Sequence, residues 1–348
     1  MQYFNTAGYR DNLARASGRT FDYRAPLSDG SWDAWRADFR AALRERLGLN
    51  RIGTVPAGLN PRCTESVECD GYTREKWYVT SEPGIEIPFY LLLPGTGEGP
   101  YPLVVTPHGH GARGKETYVA NYASEEDRVS SEQGERDVAV QAVKEGYAVI
   151  APDVRGFYEM GGEEEWLKSD GKGNSCVNFQ KVALMYGRTL IGERVHDMGR
   201  LIDYAATRPE IDTSRIVMTG NSGGGTVTLF AAALDDRISV AVPGSYVCTF
   251  EKSIIPIGHC PCNIVPGILD LGEMYDVAAL IAPRPLLIVH GVHDEIYPIE
   301  GTRETYGHLR NVYAAMDAES SCELYEGSGG HRYYKERVWP FVREYLKR

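Results

Sequence analysis

Residues 216–230 constrain the fold of this chain more than any other part of the sequence. A short apolar run leads into the turn Gly-Asn-Ser-Gly-Gly (residues 220–224), and a pattern of small and apolar residues typical of a buried helix follows. A strand, a tight glycine-rich turn and a helix form the arrangement that exposes a nucleophilic serine at the tip of the turn. The serine backbone is strained there, and side chains at Gly220 or Gly224 would collide with the neighbouring helix and strand. We therefore predict that Ser222 is a catalytic nucleophile.

This pattern alone does not establish a catalytic serine, because a chain with 38 glycines produces it by chance as well. A serine hydroxyl also needs a base, usually a histidine that a carboxylate holds in the right tautomer. Of the eight histidines, His331 is our candidate base. It lies in a glycine-rich loop directly after the last predicted strand, where a loop can bring an imidazole over a serine at the same end of the sheet.

The candidate acid is Asp294, which follows an apolar predicted strand at residues 286–290. This position places its carboxylate at the carboxyl end of a central strand. Glu295 is the alternative acid, although the Asp-x-x-x-Pro spacing favours the aspartate. Asp270 and Asp276 lie in a long insertion and have no strand to position them. The predicted triad is therefore a serine, an aspartate and a histidine in that chain order.

An acyl-transfer site also needs N–H groups that stabilise the oxyanion. One of these is normally the amide after the nucleophile, here that of Gly223. The second is expected in the loop His-Gly-His-Gly (residues 108–111), which follows an early apolar run directly. Glycine at alternate positions lets this backbone turn its amides inward. The amide of His110 is the first candidate, and those of Gly109 and Gly111 are alternatives.

Two segments contain residues that bind metals in other proteins. The His-Gly-His loop has no carboxylate or cysteine near it at ligand spacing. The segment His259-Cys260-Pro261-Cys262 resembles half of a zinc site, but no second Cys/His pair accompanies it and apolar residues flank it. We therefore predict no metal and no cofactor, and interpret residues 259–262 as a turn that lines the pocket.

Three residues are candidate substrate contacts: Gly109, Arg155 and His259. Arg155 follows a predicted strand in the sequence Asp-Val-Arg-Gly-Phe. For this residue the sequence favours an internal ion pair with Asp153 or a neighbouring acid, and a contact with substrate is the alternative.

The charge of the chain limits its partners. The formal net charge is −11, with 48 acidic and 37 basic residues and no stretch rich in lysine or arginine. This composition argues against nucleic acid and anionic membrane surfaces as partners. A small-molecule or carbohydrate substrate is the partner that we expect.

Several features favour a cytoplasmic protein. The first residues show no secretory signal, and no apolar segment approaches the roughly 20 residues of a membrane span. Seven cysteines, an odd number without regular spacing, are typical of free thiols in a reducing compartment. Export with a trimmed signal is the alternative, and a disulfide between Cys63 and Cys69 is then possible.

Periodicity predicts an α/β fold with a helical extension at residues 1–62 and a catalytic domain at residues 63–348. In the extension, apolar residues recur every four positions from Trp35 to Leu47, so one helix face packs on the main body.

Strands are predicted at 75–80, 85–93, 103–106, 147–151, 216–219, 238–242, 286–290 and 323–325. Helices are predicted around 132–145, 192–207, 222–234, 299–316 and 332–347. Long insertions at about 155–190 and 244–283 are expected over the carboxyl ends of the strands.

With these residues in this order, the chain resembles the α/β-hydrolases, and within them the acetyl xylan esterase and dienelactone-hydrolase-like branch. The resemblance covers residues 75–348. It is carried by His108-Gly109-His110-Gly111, Asp153-x-Arg155-Gly156, Gly220-Asn221-Ser222-Gly223-Gly224, Ala282-Pro283-Arg284-Pro285 leading to His290-Gly291-x-x-Asp294, and Gly330-His331. The chain order of Ser222, Asp294 and His331 is also that of this superfamily.

The resemblance implies a mostly parallel central sheet of about eight strands with helices on both faces. It also implies a serine esterase that works without a cofactor and removes acetyl or other short acyl groups from carbohydrate or small-molecule esters. Dienelactone hydrolases proper use a cysteine nucleophile, so Ser222 favours the esterase side. Enzymes of this branch often form homo-oligomers. A serine peptidase or amidase with the same triad, and a non-catalytic hydrolase-fold binding protein, are the alternatives.

Overall fold

The computed structural model describes residues 5–163 and 174–346, and in this part of the chain nine strands form one sheet. The strands are β1 (Arg62–Cys69), β2 (Tyr72–Glu82), β3 (Ile85–Pro94), β4 (Tyr101–Val105), β5 (Ala148–Pro152), β6 (Ile211–Asn221), β7 (Ile238–Gly244), β8 (Leu286–Gly291) and β9 (Cys322–Gly327). Their order across the sheet is β1-β2-β3-β5-β4-β6-β7-β8-β9. The strands β1, β2, β3 and β5 pair antiparallel, and all pairings from β5 to β9 are parallel.

Helices cover both faces of this sheet. The α-helices of the described residues are α1 (Thr6–Ala16), α2 (Arg24–Asp29), α3 (Trp32–Arg46), α4 (Lys115–Tyr118), α5 (Glu125–Gln133), α6 (Val138–Lys144), α7 (Cys176–Met185), α8 (Leu190–Ala205), α9 (Gly223–Leu234), α10 (Ile268–Leu271), α11 (Met274–Ala279), α12 (Ile299–Ala314) and α13 (Lys335–Leu346). One apolar core lies under α3, α8, α9 and α12, and a second lies under α6 and α13. Every residue of β5 and β8 is buried, as expected for strands covered on both faces. The predicted α/β-hydrolase architecture is confirmed.

Some elements differ from the sequence prediction, and α7 in the first insertion was not predicted as a helix. The helix expected at residues 132–145 is two helices, α5 and α6, because the chain turns at Gly134 and Glu135 takes a left-handed backbone conformation with φ 52°. The strand β1 was not predicted. Its residues are mostly exposed at the edge of the sheet, so its sequence lacks the alternating apolar residues that identify a half-buried strand.

The N-terminal helices pack against the main body through α3. The side chains of Trp35, Phe39 and Leu43 are buried in the first core, which confirms the predicted apolar helix face. The Arg40 guanidinium donates through Nε to the Ala233 carbonyl oxygen at 2.9 Å. The division of the chain after residue 62 stays a prediction.

The two predicted insertions approach the carboxyl ends of the parallel strands. Asn174 and Val177 from the first, and residues 258–261 from the second, line one cavity with Ser222, which directly follows β6. Residues 164–173 of the first insertion lie outside the described residues. Within the described ranges, no helix combines the length and the apolar character that crossing a bilayer requires.

The seven cysteines are all free. Cys63 and Cys69 both belong to β1 and are six residues apart, a separation of roughly 20 Å along a strand. A disulfide requires Cα atoms within about 7 Å of each other. This strand geometry therefore excludes the pairing of Cys63 with Cys69.

Replacing Phe39 by alanine tests whether α3 belongs to the cooperative core. Phe39 is fully buried and stacks on Phe21 with 4.9 Å between the ring centroids. We expect Phe39→Ala to lower the free energy of unfolding by about 3–5 kcal/mol in urea titrations, because it leaves a cavity in the first core. The exposed Leu13 in α1 is the control, and Leu13→Ala should change the stability by no more than about 0.5 kcal/mol. Equal, small effects of both variants would contradict the docking of α3.

Candidate active site

Ser222 occupies a strained turn between β6 and α9. Its backbone has φ 57° and ψ −118°, which a residue with a side chain rarely adopts. A Cβ atom at Gly220 or Gly224 would lie 2.2 or 2.0 Å from the carbonyl oxygen of Pro107, in the segment that follows β4. The predicted strain and the predicted need for glycine are both confirmed, and the Pro107 carbonyl oxygen is the atom nearest to either added Cβ.

Asp294 and His331 form a hydrogen-bonded pair at the carboxyl end of β8. The Asp294 Oδ2 atom lies 2.7 Å from His331 Nδ1, and its Oδ1 atom accepts the amides of Ile296 and Tyr297 at 3.0 and 3.1 Å. Burial raises the pKa of Asp294, but the hydrogen bond and charge of His331 more than offset this, so the pKa lies below its usual value. The carboxylate is therefore ionised and can orient the imidazole. Glu295, the alternative acid, is exposed.

Ser222 and His331 line one cavity of about 560 Å³. Its size falls in the usual range of roughly 300–1,000 Å³ for small-molecule sites. Of the described residues that line it, none is a lysine, arginine, aspartate or glutamate. The cavity therefore combines a candidate nucleophile and base with a wall that contains no lysine, arginine or carboxylate among the described residues.

The amides of Gly223 and His110 are available to an oxyanion. Neither donates a hydrogen bond to another described residue, whereas the Ser222 amide is bound to the Gly244 carbonyl oxygen at 2.8 Å. The His110 ring lies against Gly223, since a Cβ atom there would approach His110 Nδ1 to 2.8 Å. The structure thus brings the two predicted donors together beside the serine.

Gly109 has a structural reason to lack a side chain. Its amide faces the Tyr118 hydroxyl, which also accepts the Asn221 amide at 3.1 Å. A Cβ atom at Gly109 would lie 2.6 Å from the Asn221 carbonyl oxygen. Tyr118 therefore supports both the loop and the turn. The sequence analysis missed it, because nothing in the pattern around residue 118 points to residues 109 and 221.

His108 anchors the same loop to β5. Its Nδ1 atom lies 2.7 Å from the Gly109 carbonyl oxygen, and its Nε2 atom accepts the Val154 amide at 3.2 Å. The His108 side chain is buried, and its Nε2 atom also lies 3.4 Å from Asp153 Oδ1. His108 is a structural residue that fixes the backbone on which His110 lies.

The prediction that Arg155 contacts substrate is wrong. The guanidinium is buried, does not line the cavity with Ser222, and forms ion pairs with Asp197 at 2.8 Å and Glu82 at 3.0 Å. The favoured interpretation, an internal ion pair, is confirmed, although the partners are Asp197 and Glu82 and not Asp153. Asp153 instead binds the buried Lys115 ammonium at 2.7 Å.

His259 lies on the wall of the cavity. Its ring packs on Tyr297 with 4.8 Å between centroids, and its Nε2 atom is buried without a hydrogen bond to any described residue. Burial lowers the pKa of His259, so the imidazole is neutral. His259 stays a candidate substrate contact.

The reason given above against a metal site at residues 259–262 is wrong. The structure brings His110 and Cys176 to Cys260 and Cys262, so that four potential ligand atoms lie within 4.8 Å of one another. The second pair was missed because its members lie far away in the sequence and on different elements. Hydrogen bonds with the thiols of Cys176 and Cys260 lower the pKa of Cys262 well below its usual value.

Comparisons with known proteins place this geometry in a family. The Bacillus subtilis protein YtaP, assigned as a hydrolase, is 30% identical over 258 residues, which are 70% of this chain and 77% of YtaP. A Bacteroides fragilis protein assigned as an acetyl xylan esterase superposes with a TM-score of 0.78 at 20% identity, covering 94% of this chain and 83% of that one. A glucuronoyl esterase from Solibacter usitatus superposes with a TM-score of 0.67 at 16% identity, covering 90% and 93% of the two chains.

These two structural likenesses show the shared fold. The model of the Abhydrolase family matches residues 1–317, which are most of the chain. The chain therefore belongs to the Abhydrolase family.

Proposed function

We propose that the chain is a serine esterase that removes acetyl or other short acyl groups from carbohydrate or small-molecule esters. The observation that carries the proposal is the shared cavity. Ser222 reaches it from a strained turn, and His331, held by Asp294 at 2.7 Å, lines the same space. This is the set of groups that acyl transfer through a serine requires.

In the first step, the Ser222 hydroxyl attacks the ester carbonyl and His331 Nε2 takes the hydroxyl proton. Nδ1 of the same ring faces Asp294, so the carboxylate stabilises the imidazolium that forms. The protonated His331 then gives the proton to the leaving alcohol, and an acyl-serine remains.

The amides of Gly223 and His110 stabilise the negative charge that develops on the carbonyl oxygen. The Gly223 amide is also the first of α9, where the helix dipole favours negative charge. Water activated by His331 attacks the acyl-serine in the second step, and the same two amides stabilise the second tetrahedral intermediate. The acid is released and Ser222 recovers its proton.

The lining of the cavity favours a neutral ester. None of the described lining residues is a lysine or arginine that could pair with a carboxylate beside the ester of a substrate. His259, Asn174 and Asn263 offer polar groups that suit the hydroxyls of a sugar. The likeness to proteins assigned as acetyl xylan and glucuronoyl esterases supports a carbohydrate ester as the substrate.

The cytoplasmic location and a homo-oligomeric state stay predictions from the sequence.

Replacing Ser222 tests the nucleophile. We expect Ser222→Ala to lower kcat on p-nitrophenyl acetate by about 10⁴-fold or more, since no other group forms the acyl-enzyme. A fluorophosphonate probe should label the unmodified protein and not the variant. Ser28→Ala, which changes an exposed serine in α2, is the control and should keep full activity. Turnover by Ser222→Ala at the rate of the unmodified protein would disprove the assignment.

Replacing Gly223 tests the oxyanion site. A Cβ atom at this position would press against the His110 ring and displace the proposed donors. We expect Gly223→Ala to lower kcat by about 10²-fold with a smaller change in KM, because the lost interaction belongs to the transition state. In α12, Gly307 has open space around its Cα, so Gly307→Ala is a matched control without an effect. A change confined to KM would show that these amides bind the ground state and the transition state equally and do not favour the transition state.

A substrate panel tests the acyl group and the bond that is cleaved. Matched p-nitrophenyl esters of rising chain length, the p-nitroanilide of acetate and acetylated xylo-oligosaccharides are compared by kcat/KM. We expect the acetyl ester to be cleaved much faster than the octanoyl ester, and the anilide to be cleaved very slowly. Anilide cleavage at rates near those of the ester would favour the amidase alternative. Preference for long acyl chains would contradict the short-acyl proposal.

A further inference from the structure

Next to the catalytic cavity, four side chains with metal-binding atoms converge. They are His110, Cys176, Cys260 and Cys262, and one potential ligand atom from each lies within 4.8 Å of the others. His110 Nε2 and Cys262 Sγ are 3.3 Å apart. The residues come from three separate parts of the chain: the loop after β4, the first residue of α7 and the second insertion.

We propose that these four residues bind one Zn²⁺ ion. One imidazole and three thiolates are a common ligand set of structural zinc sites. Bond lengths of roughly 2.3 Å to sulfur and 2.0 Å to nitrogen place the ligand atoms of a tetrahedral site about 3.4–3.8 Å apart. Small rotations of the side chains would bring the present group to this spacing. The three thiols lose their protons to solvent as the ion binds.

The charge of Arg194 independently indicates negative charge at this cluster. Arg194 is only 2% exposed, and its Nη2 atom donates to Cys176 Sγ at 3.1 Å. Its other hydrogen bonds, through Nε and Nη2, go to the Arg155 carbonyl oxygen, and no carboxylate of the described residues forms an ion pair with it. Burying a cation without a counter-charge lowers the stability of the folded protein, because the charge loses its hydration. Zinc with three thiolates and a neutral imidazole carries a net charge of −1, which Arg194 would balance.

Four protein ligands leave no open position on the metal, so the site is structural and takes no direct part in catalysis. The bound ion would act by fixing the positions of the segments that carry its ligands. The ion would link the loop that holds His110 to α7 and to the insertion that holds His259. Zinc at Nε2 would also leave the proton of His110 on Nδ1, the atom that faces Gly223. The relevance of this proton to the oxyanion site depends on the proposed esterase function, whereas the zinc site itself does not.

The cluster is accessible to metal from the cavity. His110 is exposed and Cys260 is half-buried, and both line the space next to Ser222. Cys176 and Cys262 are buried behind them. Metal exchange and chelation are therefore expected to proceed from the cavity side without unfolding.

The test measures zinc in the full chain by inductively coupled plasma mass spectrometry. We expect about one zinc per chain, falling at least about 10-fold in Cys176→Ala and Cys262→Ala, because each removes a ligand. Cys322→Ala is the matched control. It removes a buried free cysteine of β9 outside the cluster and should keep its zinc. Equal zinc loss in the control and the cluster variants would overturn the proposal.

Cobalt provides a second measurement that does not depend on how well the variants fold. Unmodified protein stripped with a chelator and loaded with Co²⁺ should show a thiolate-to-cobalt charge-transfer band and the visible bands of tetrahedral cobalt. Stripped protein that takes up neither Zn²⁺ nor Co²⁺ while all seven thiols titrate would overturn the proposal. If only five of the seven thiols titrate in metal-free protein, the zinc proposal would be overturned as well, since the cluster would then hold a disulfide.

Ser222→Ala separates this inference from the proposed function. The variant should bind zinc fully although it lacks the candidate nucleophile. Zinc binding without esterase activity in the unmodified protein would refute only the function, and activity without zinc would refute only the metal site.

Discussion

The close approach of two backbone segments determines the geometry of this site. β4 and β6 are parallel neighbours, so the segments that follow them leave the sheet side by side. The Pro107 carbonyl lies where side chains at Gly220 and Gly224 would lie, and the Asn221 carbonyl lies where a side chain at Gly109 would lie. Glycine at these positions lets the loop after β4 contact the turn that holds Ser222. The free amides beside the serine result from this contact.

Buried ion pairs around the site hold its walls and do not bind substrate. Arg155 pairs with Asp197 and Glu82, and Lys115 pairs with Asp153. Burying such charges is costly unless each has a partner, and removing one partner leaves an uncompensated charge. The charged residues of the Asp-x-Arg motif therefore fix the loop after β5. Among the described residues, no lysine, arginine, aspartate or glutamate lines the adjoining cavity, which suits a neutral ester.

The loop after β4 connects two sites of different chemistry. One side of His110 faces Gly223 and the candidate nucleophile, and the other side faces Cys262. His108 and the Tyr118 hydroxyl, which faces the Gly109 amide, hold the backbone just before this residue. A small displacement of the cysteine cluster would therefore move the proposed oxyanion donor. The proposed zinc site and the proposed esterase site are for this reason mechanically linked, although each can be measured alone.

The sequence by itself determined most of the strands and helices that follow residue 75, the strained turn at Ser222 and the pairing of Asp294 with His331. These follow from local patterns, because apolar periodicity and glycine-rich turns act over a few residues and parallel strands end at a common edge. Only the tertiary structure decided which acid pairs with Arg155 and which residues join Cys260 and Cys262. Such contacts unite residues that are far apart in the chain, and their side-chain chemistry is compatible with many partners. Packing of the loops against the sheet selects one partner among them.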